Sequence, residues 1–336
     1  MRSSLASVDA RSEACGAGSA FLLEAIFVII ILLLALALPG APEPGLQKQT
    51  PTATKTGSEP RSSGSAADQG SLRIFTGQQG SVIFLKNVRF GVTGDSGELK
   101  IERIKAGSYP VRVRTVGYQD WVIRLIVVQP QAETRLNVKQ IRTTDPAVLH
   151  YQKGDALRDS GSHEEAVAEY KQALETNPRL TAAAIGCARS LIALQQLEDA
   201  ESMLQKAMRL GAGGQLAEAE TVFGNLRRSQ ELLDESISHY RKALVLARGV
   251  SPEAHIGLAL ALEEKGAIDE AIGHFRQGLA QDMDTEPILY YLLGKVLEKR
   301  GRTQEAIQAY SGYLRLDPNG QYSSAVESII EQLKGK

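Results

Sequence analysis

Between His163 and the C-terminus, small and large apolar residues recur at helical spacing in five imperfect echoes: HEEAVAEYKQALETNP from His163, LEDAESMLQKAMRLGA from Leu197, LDESISHYRKALVLAR from Leu233, IDEAIGHFRQGLAQDM from Ile268 and TQEAIQAYSGYLRLDP from Thr303. Their starting points lie 34, 36, 35 and 35 residues apart, a fixed period that marks a repeat array. The fourth residue of each echo is small (Ala166, Ala200, Ser236, Ala271, Ala306) and the eighth is large and apolar (Tyr170, Leu204, Tyr240, Phe275, Tyr310). Further small residues, Ala173, Ala207, Ala243 and Gly278, continue the same helical stripe. A neighbouring helix can approach closely over the small residues, and the large one fills the space between.

Upstream of each echo lies a second helical pattern of about 14 residues closed by a turn, as in YQKGDALRDSGS from Tyr151 and YLLGKVLEKRGR from Tyr291. The unit is a helix, a tight turn and a second helix. Five units span 147–320, at 147–180, 181–216, 217–251, 252–286 and 287–320. One unit cannot bury its own stripe, so the array needs neighbours and an end cap. Residues 321–336 supply the cap, with Ala325, Ile329 and Leu333 expected on its buried face. Tyr313 replaces the small residue of the other units, which implies a different neighbour for the last helix.

This unit resembles the tetratricopeptide repeat, through Gly154, Leu157, Ala166, Tyr170, Ala173 and Pro178 in the first copy and Leu293, Gly294, Ala306, Tyr310 and Pro318 in the last. The resemblance implies a superhelix with a long concave surface that holds protein or peptide segments. It also implies that the first helix of each unit lines that surface. Three of its lining positions fall at i, i+4 and i+7, on one helical face. They are Tyr151, Asp155 and Arg158; Ile185, Arg189 and Ile192; Thr221, Asn225 and Arg228; Ile256, Leu260 and Glu263; and Tyr291, Lys295 and Glu298. The candidate groove residues are Tyr151, Asp155, Arg158, Arg189, Asn225, Arg228, Tyr291 and Lys295. An Arg in each of the first three units favours a segment with acidic and apolar side chains, because a guanidinium offers forked hydrogen bonds to carboxylates. Family members that clamp a terminal carboxylate use a Lys and Asn set, from which Tyr151 and Asp155 depart.

From Ser71 to Gln140 the period changes to two. SVIFL, LKIERI, YPVRVRTV, WVIRLIVV and TRLNVK read as strands broken by Gly, Asp and Pro, and predict a small β-sandwich over 71–141. Thr93, Asp95 and Gly97, then Gly107, Tyr109, Val111 and Val113, then Gly117 and Tyr118 resemble the PEGA and carboxypeptidase regulatory-like modules. That resemblance implies a non-catalytic spacer or adhesive domain outside the cytoplasm. Trp121 is expected in the core of this sandwich, and TTDP at Thr143 to Pro146 punctuates its junction with the array.

Ahead of the sandwich the pattern changes twice more. Phe21 to Leu38 is apolar except for Glu24 and would span about 27 Å as a helix, close to the hydrocarbon thickness of a bilayer. Its length and the preceding tail, 1–19, favour a retained membrane helix over 20–38, although Ala35-Leu36-Ala37 offers a signal-cleavage site. AFLLEAIFVIII also resembles a type IV pilin-like leader with processing near Ser19. Residues 39–70 are rich in Pro, Ser, Thr and Gly and predict a disordered spacer. Arg11 before the span and Lys48 after it leave the positive-inside rule nearly silent, so the sandwich resemblance carries the expected extracytoplasmic orientation.

Composition changes little in this picture. The 336 residues carry a formal charge of −1, which advertises no nucleic acid, and two cysteines make no disulfide framework. Cys187 falls on the apolar stripe of a repeat helix and is expected to be buried. GDSG at Gly94 to Gly97 matches the string around a protease serine, but all five His follow it, so a hairpin turn is expected. His163-Glu164-Glu165 lacks a second His at zinc-site spacing, and GAGG at Gly211 to Gly214 lacks the Lys-Ser/Thr of a phosphate loop. No enzyme, cofactor, metal or small-molecule substrate is expected. The fold expected is multidomain: a single N-terminal transmembrane helix, a small all-β sandwich and an all-α superhelix. The function expected is a protein-protein interaction scaffold, single-pass in a bacterial inner membrane with its C-terminal domains outside the cytoplasm, serving assembly or the envelope. The alternatives are a pilin-like or secretion-system subunit, an enzyme of unknown type, or, after signal cleavage, a periplasmic or secreted scaffold.

Overall fold

The computed structural model describes residues 68–335, except 87, 283 and 284. The tail, the apolar segment 20–38 and the spacer up to residue 67 lie outside these residues. Among the described residues no helix is long and apolar enough to cross a membrane. The strands and helices fall in one compact unit.

Period-two alternation produces seven strands: β1 (Gln69–Phe75), β2 (Val82–Leu85), β3 (Val88–Val92), β4 (Glu98–Lys105), β5 (Gly107–Arg114), β6 (Trp121–Val128) and β7 (Glu133–Asn137). They form two sheets of order β4-β1-β7 and β3-β2-β5-β6, with β1 and β7 parallel and the other neighbours antiparallel. Leu72 and Ile74 of the first sheet meet Ile83, Leu85, Val111 and Val113 of the second in one solvent-free core, so the sheets pack face to face. Trp121 packs at the margin of this core, partly buried.

Three sequence expectations change here. Neither β1 nor β3 is among the five expected strands: β1 starts at Gln69, inside the stretch expected to be spacer, and VRFGV of β3 is short and broken by Gly91. GDSG is a turn, with Gly97 N–H donating to Gly94 O at 2.9 Å and Gly97 at φ +69°. It joins β3 to β4, which belong to different sheets, so it closes no hairpin.

Asp145 and Pro146 start the helical half, the Asp145 side chain accepting from Ala147 N–H at 2.9 Å while Pro occupies the first turn. Five helix pairs follow: α1 (Pro146–Asp159) with α2 (His163–Thr176), α3 (Thr181–Ala193) with α4 (Leu197–Leu210), α5 (Gly214–Ser229) with α6 (Leu233–Leu246), α7 (Pro252–Glu264) with α8 (Ile268–Asp282), and α9 (Pro287–Lys299) with α10 (Thr303–Leu316). α11 (Ser323–Lys334) follows and packs on α10. The stripe residues Tyr170, Leu204, Tyr240, Phe275 and Tyr310 are solvent-free, as is Cys187, whose thiol burial pushes up to about 11. The buried face of α11 is Ser323, Val326, Ile330 and Leu333, while Ala325 is exposed and Ile329 only half-buried. The cap is thus rotated by about one residue from the expected face. Tyr313 does meet a different neighbour, lying edge-on to Tyr322 at 6.4 Å.

The first helices of the leading four units, α1, α3, α5 and α7, pack directly on one another. They therefore line the inner side of the curve, and the sandwich approaches them there.

Candidate functional site

The candidate groove residues separate into three groups and one outlier. In the first unit, Tyr151, Asp155 and Arg158 come together around Arg114 of β5. Arg114 Nη1 donates to Asp155 Oδ2, Nη2 donates to Asp120 Oδ2 at 3.3 Å, and the guanidinium lies 5.0 Å from the Tyr151 ring centre. Arg158 Nη1 donates to Asp155 Oδ1 at 2.9 Å and to the Tyr170 hydroxyl at 3.0 Å, and that hydroxyl donates to Asp155 Oδ1 at 2.6 Å. Burial, reinforced by the Asp155 carboxylate, pushes the Tyr151 hydroxyl far above its usual range. Next to this cluster, Gln152 accepts from Gly117 N–H at 2.9 Å and donates to Tyr118 O at 2.7 Å, while Arg89 reaches Asp159 at 3.2 Å. The chain's own sandwich fills the first unit's share of the concave face.

The second group is an ion-pair bridge across the curve. Arg189 of α3 donates to Glu253 of α7 at 2.5 and 2.9 Å and to Glu218 of α5 at 3.4 Å. Asn225 donates to Glu253 Oε1 at 3.4 Å and accepts the Tyr240 hydroxyl at 2.6 Å. Burial disfavours the Glu253 charge, but Arg189 outweighs it and leaves the carboxyl below its ordinary value. Arg228 is the outlier, turned to Glu264 at 3.0 Å, whose carboxyl burial pushes up.

The third group sits at the far end, where Tyr291 stacks on Tyr322 with ring centres 4.9 Å apart and Lys295 lies 5.9 Å from the Tyr291 ring centre. Arg158, Arg189 and Arg228, expected to meet a ligand's carboxylates, are thus each already paired with an acid of the chain.

Between sandwich and array lies a cleft of about 990 Å³. Lys86, Arg89 and Arg112 stand on its sandwich wall, and Gln215, Glu218, Thr221, Glu253, Ile256 and Glu286 on its helical wall. The sandwich side of this site is not visible in the repeat periodicity, which concerns the helices alone. One signal was present: in VRVR, Val111 and Val113 face the core, so Arg112 and Arg114 share the opposite face of β5.

A repeat protein built for contact along its inner face is the class this geometry defines. Models of the tetratricopeptide repeat match residues 157–220, 204–286 and 257–321, so the helical half of the chain is an array of tetratricopeptide repeats. This fold serves as a scaffold for protein or peptide partners, and neither matching model is a catalytic family. Comparison with curated proteins gives no match. Among solved structures the chain is similar to YrrB, described as a TPR protein with an unusual peptide-binding site, at 19% identity over 55% of this chain and 94% of that one, with a TM-score of 0.39. It is similar to MamA of Desulfovibrio magneticus RS-1 at 17% identity over 53% and 98%, TM-score 0.41. It is also similar to yeast Tom70 at 16% identity over 57% and 40%, TM-score 0.49.

Proposed function

We propose that this protein is a membrane-anchored adaptor whose residues 20–38 hold it in a bacterial inner membrane and whose concave cleft recruits a protein partner outside the cytoplasm. The cleft carries the reading. It is bounded on one side by sandwich cations and on the other by helical acids, and it stays open where the first unit is filled. Apolar residues 20–38 support the anchor, and the likeness of the β-domain to PEGA and carboxypeptidase regulatory-like modules supports the extracytoplasmic side.

Affinity purification of the full-length chain tests the cleft. Gln215 and Glu218 are exposed on α5, and replacing both by Trp should fill the cleft and remove the co-purifying partner. Val245→Trp, on an exposed face of α6, should retain it. A partner that still co-purifies with the Trp-filled cleft contradicts the proposal. Orientation is read separately with a cysteine at Ser65, Cys15 and Cys187 being replaced: an impermeant thiol reagent should label it in intact cells, and labelling only after lysis reverses the topology.

A further inference from the structure

Arg112 enters the cleft wall with its charge unspent. Its guanidinium lies 4.2 Å from the Phe84 ring centre, its Nε is buried without a partner, and among the described residues it forms no ion pair. Burial, aggravated by neighbouring Arg114, pushes its pKa down, a cost that a bound carboxylate would relieve. Lys86, 4.8 Å from the Tyr109 ring centre, is a second cation on the same wall, also without an ion pair among the described residues. Arg189 and Arg228 offer no such charge, being paired within the array.

Across the cleft, Glu286 is exposed and likewise forms no ion pair among the described residues. Glu218 leaves 50% of its side-chain surface exposed despite a 3.4 Å contact with Arg189. Arg112 and Lys86 on one wall and Glu286 on the other therefore hold charge without an ion pair among the described residues, the two walls are of opposite sign, and Arg112 with Glu218 and Arg89 with Glu286 attract one another across the cleft without pairing. A ligand in such a space must present different chemistry to its two sides. An extended strand does so residue by residue, because successive side chains point to opposite faces, whereas a helix spreads them around a circle.

We infer that the cleft takes an extended peptide segment in which acidic and basic residues alternate, the acidic side facing Arg112 and Lys86 and the basic side facing Glu218 and Glu286. This rests on the reading of the cleft as the partner site and names the chemistry recognised there. It moves the acid-reading groups from the repeat helices to the sandwich.

Fluorescence anisotropy on the full-length chain in detergent, at low salt, compares two labelled eight-residue peptides of identical composition. One alternates Glu and Lys; the other has four Glu followed by four Lys. The alternating peptide should bind at least about tenfold more tightly, about 1.4 kcal/mol. Arg112→Gln and Glu286→Gln should each remove most of that preference, and Arg112→Lys should keep it. Because Glu286 is exposed, its replacement probes the site without disturbing a core. Equal binding of the two peptides, tighter binding of an all-Glu control, or a preference that survives both Gln replacements overturns the inference. Failure of the underlying reading is distinct: the Trp-filled cleft would then keep its co-purifying partner, whatever the peptides do.

Discussion

At Tyr240, neighbouring glycines set the size of the pocket: a Cβ on Gly224 or Gly257 would stand 2.5 or 2.4 Å from the ring. Gly257→Ala should therefore cost about 1–3 kcal/mol in thermal unfolding, and adding Tyr240→Leu should recover part of the loss. Simple additivity of the two changes would contradict this packing. The aromatic and small positions were legible in the sequence, because they recur on one helical face. Their hydroxyl partners were not: Asp155 for Tyr170, Asn225 for Tyr240 and Glu298 for Tyr310 lie 15, 15 and 12 residues away on the preceding helix. All three were read as groove positions, and each also anchors a buried Tyr. His255 and His274 make a second residue-scale prediction. Their Nδ1 atoms are 3.0 Å apart, and burial, with the partner ring for His274, holds both below 6.5. Gly249 O, Glu270, Arg241 and the Gln277 side chain also act on the pair. The unfolded chain holds more protons once pH falls below about 7, so the stability supplied by the neutral pair is complete above that and is lost as pH drops through 6.5. Melting temperature should fall between pH 7.5 and 5.5, and His274→Gln should flatten the slope, with half-buried His163 leaving a remainder of the same sign. A slope unchanged by that substitution would clear the pair of the effect.

Elements differ in how much of them a local pattern can announce. Helix pairs repeat their stripe and were visible throughout, whereas β3 is five residues long and interrupted by Gly91. The last helix α11 does not repeat the stripe of the five units, so its period left the facing residue open by one step, and packing against α10 selected Val326 and Ile330. The docking of the sandwich on α1 joins elements of different period through single polar contacts, and no periodicity reports such a contact. Gln152 is the best place to test it: it is 2% exposed and satisfies both Gly117 N–H and Tyr118 O. Gln152→Ala should cost about 1–3 kcal/mol at that junction by leaving both backbone groups without their partner. Hydrogen exchange at the Gly117 amide should accelerate by about tenfold or more while the core amides of β2 and β5 keep their protection. Unchanged protection at Gly117 would mean that the loop is held by something other than α1.

On the scale of the whole molecule, the two folded parts share one surface. The array curves with its first helices inward, Arg189 and Glu253 bridge that curve, and β5 sends Arg114 into its first unit and Arg112 into the cleft beyond. A repeat array alone offers a groove along its full length; here the sandwich occupies part of that groove and supplies one wall of the remainder. The central claim is that partners enter this remaining cleft. Site-specific photo-crosslinking from the full-length chain in intact cells measures this most directly, with the reactive side chain placed either at Gln215 in the cleft or at Val245 on the exposed face of α6. Adducts to one protein from Gln215, abolished by Arg112→Glu and absent from Val245, are the predicted result; adducts from Val245 with none from Gln215 would contradict it.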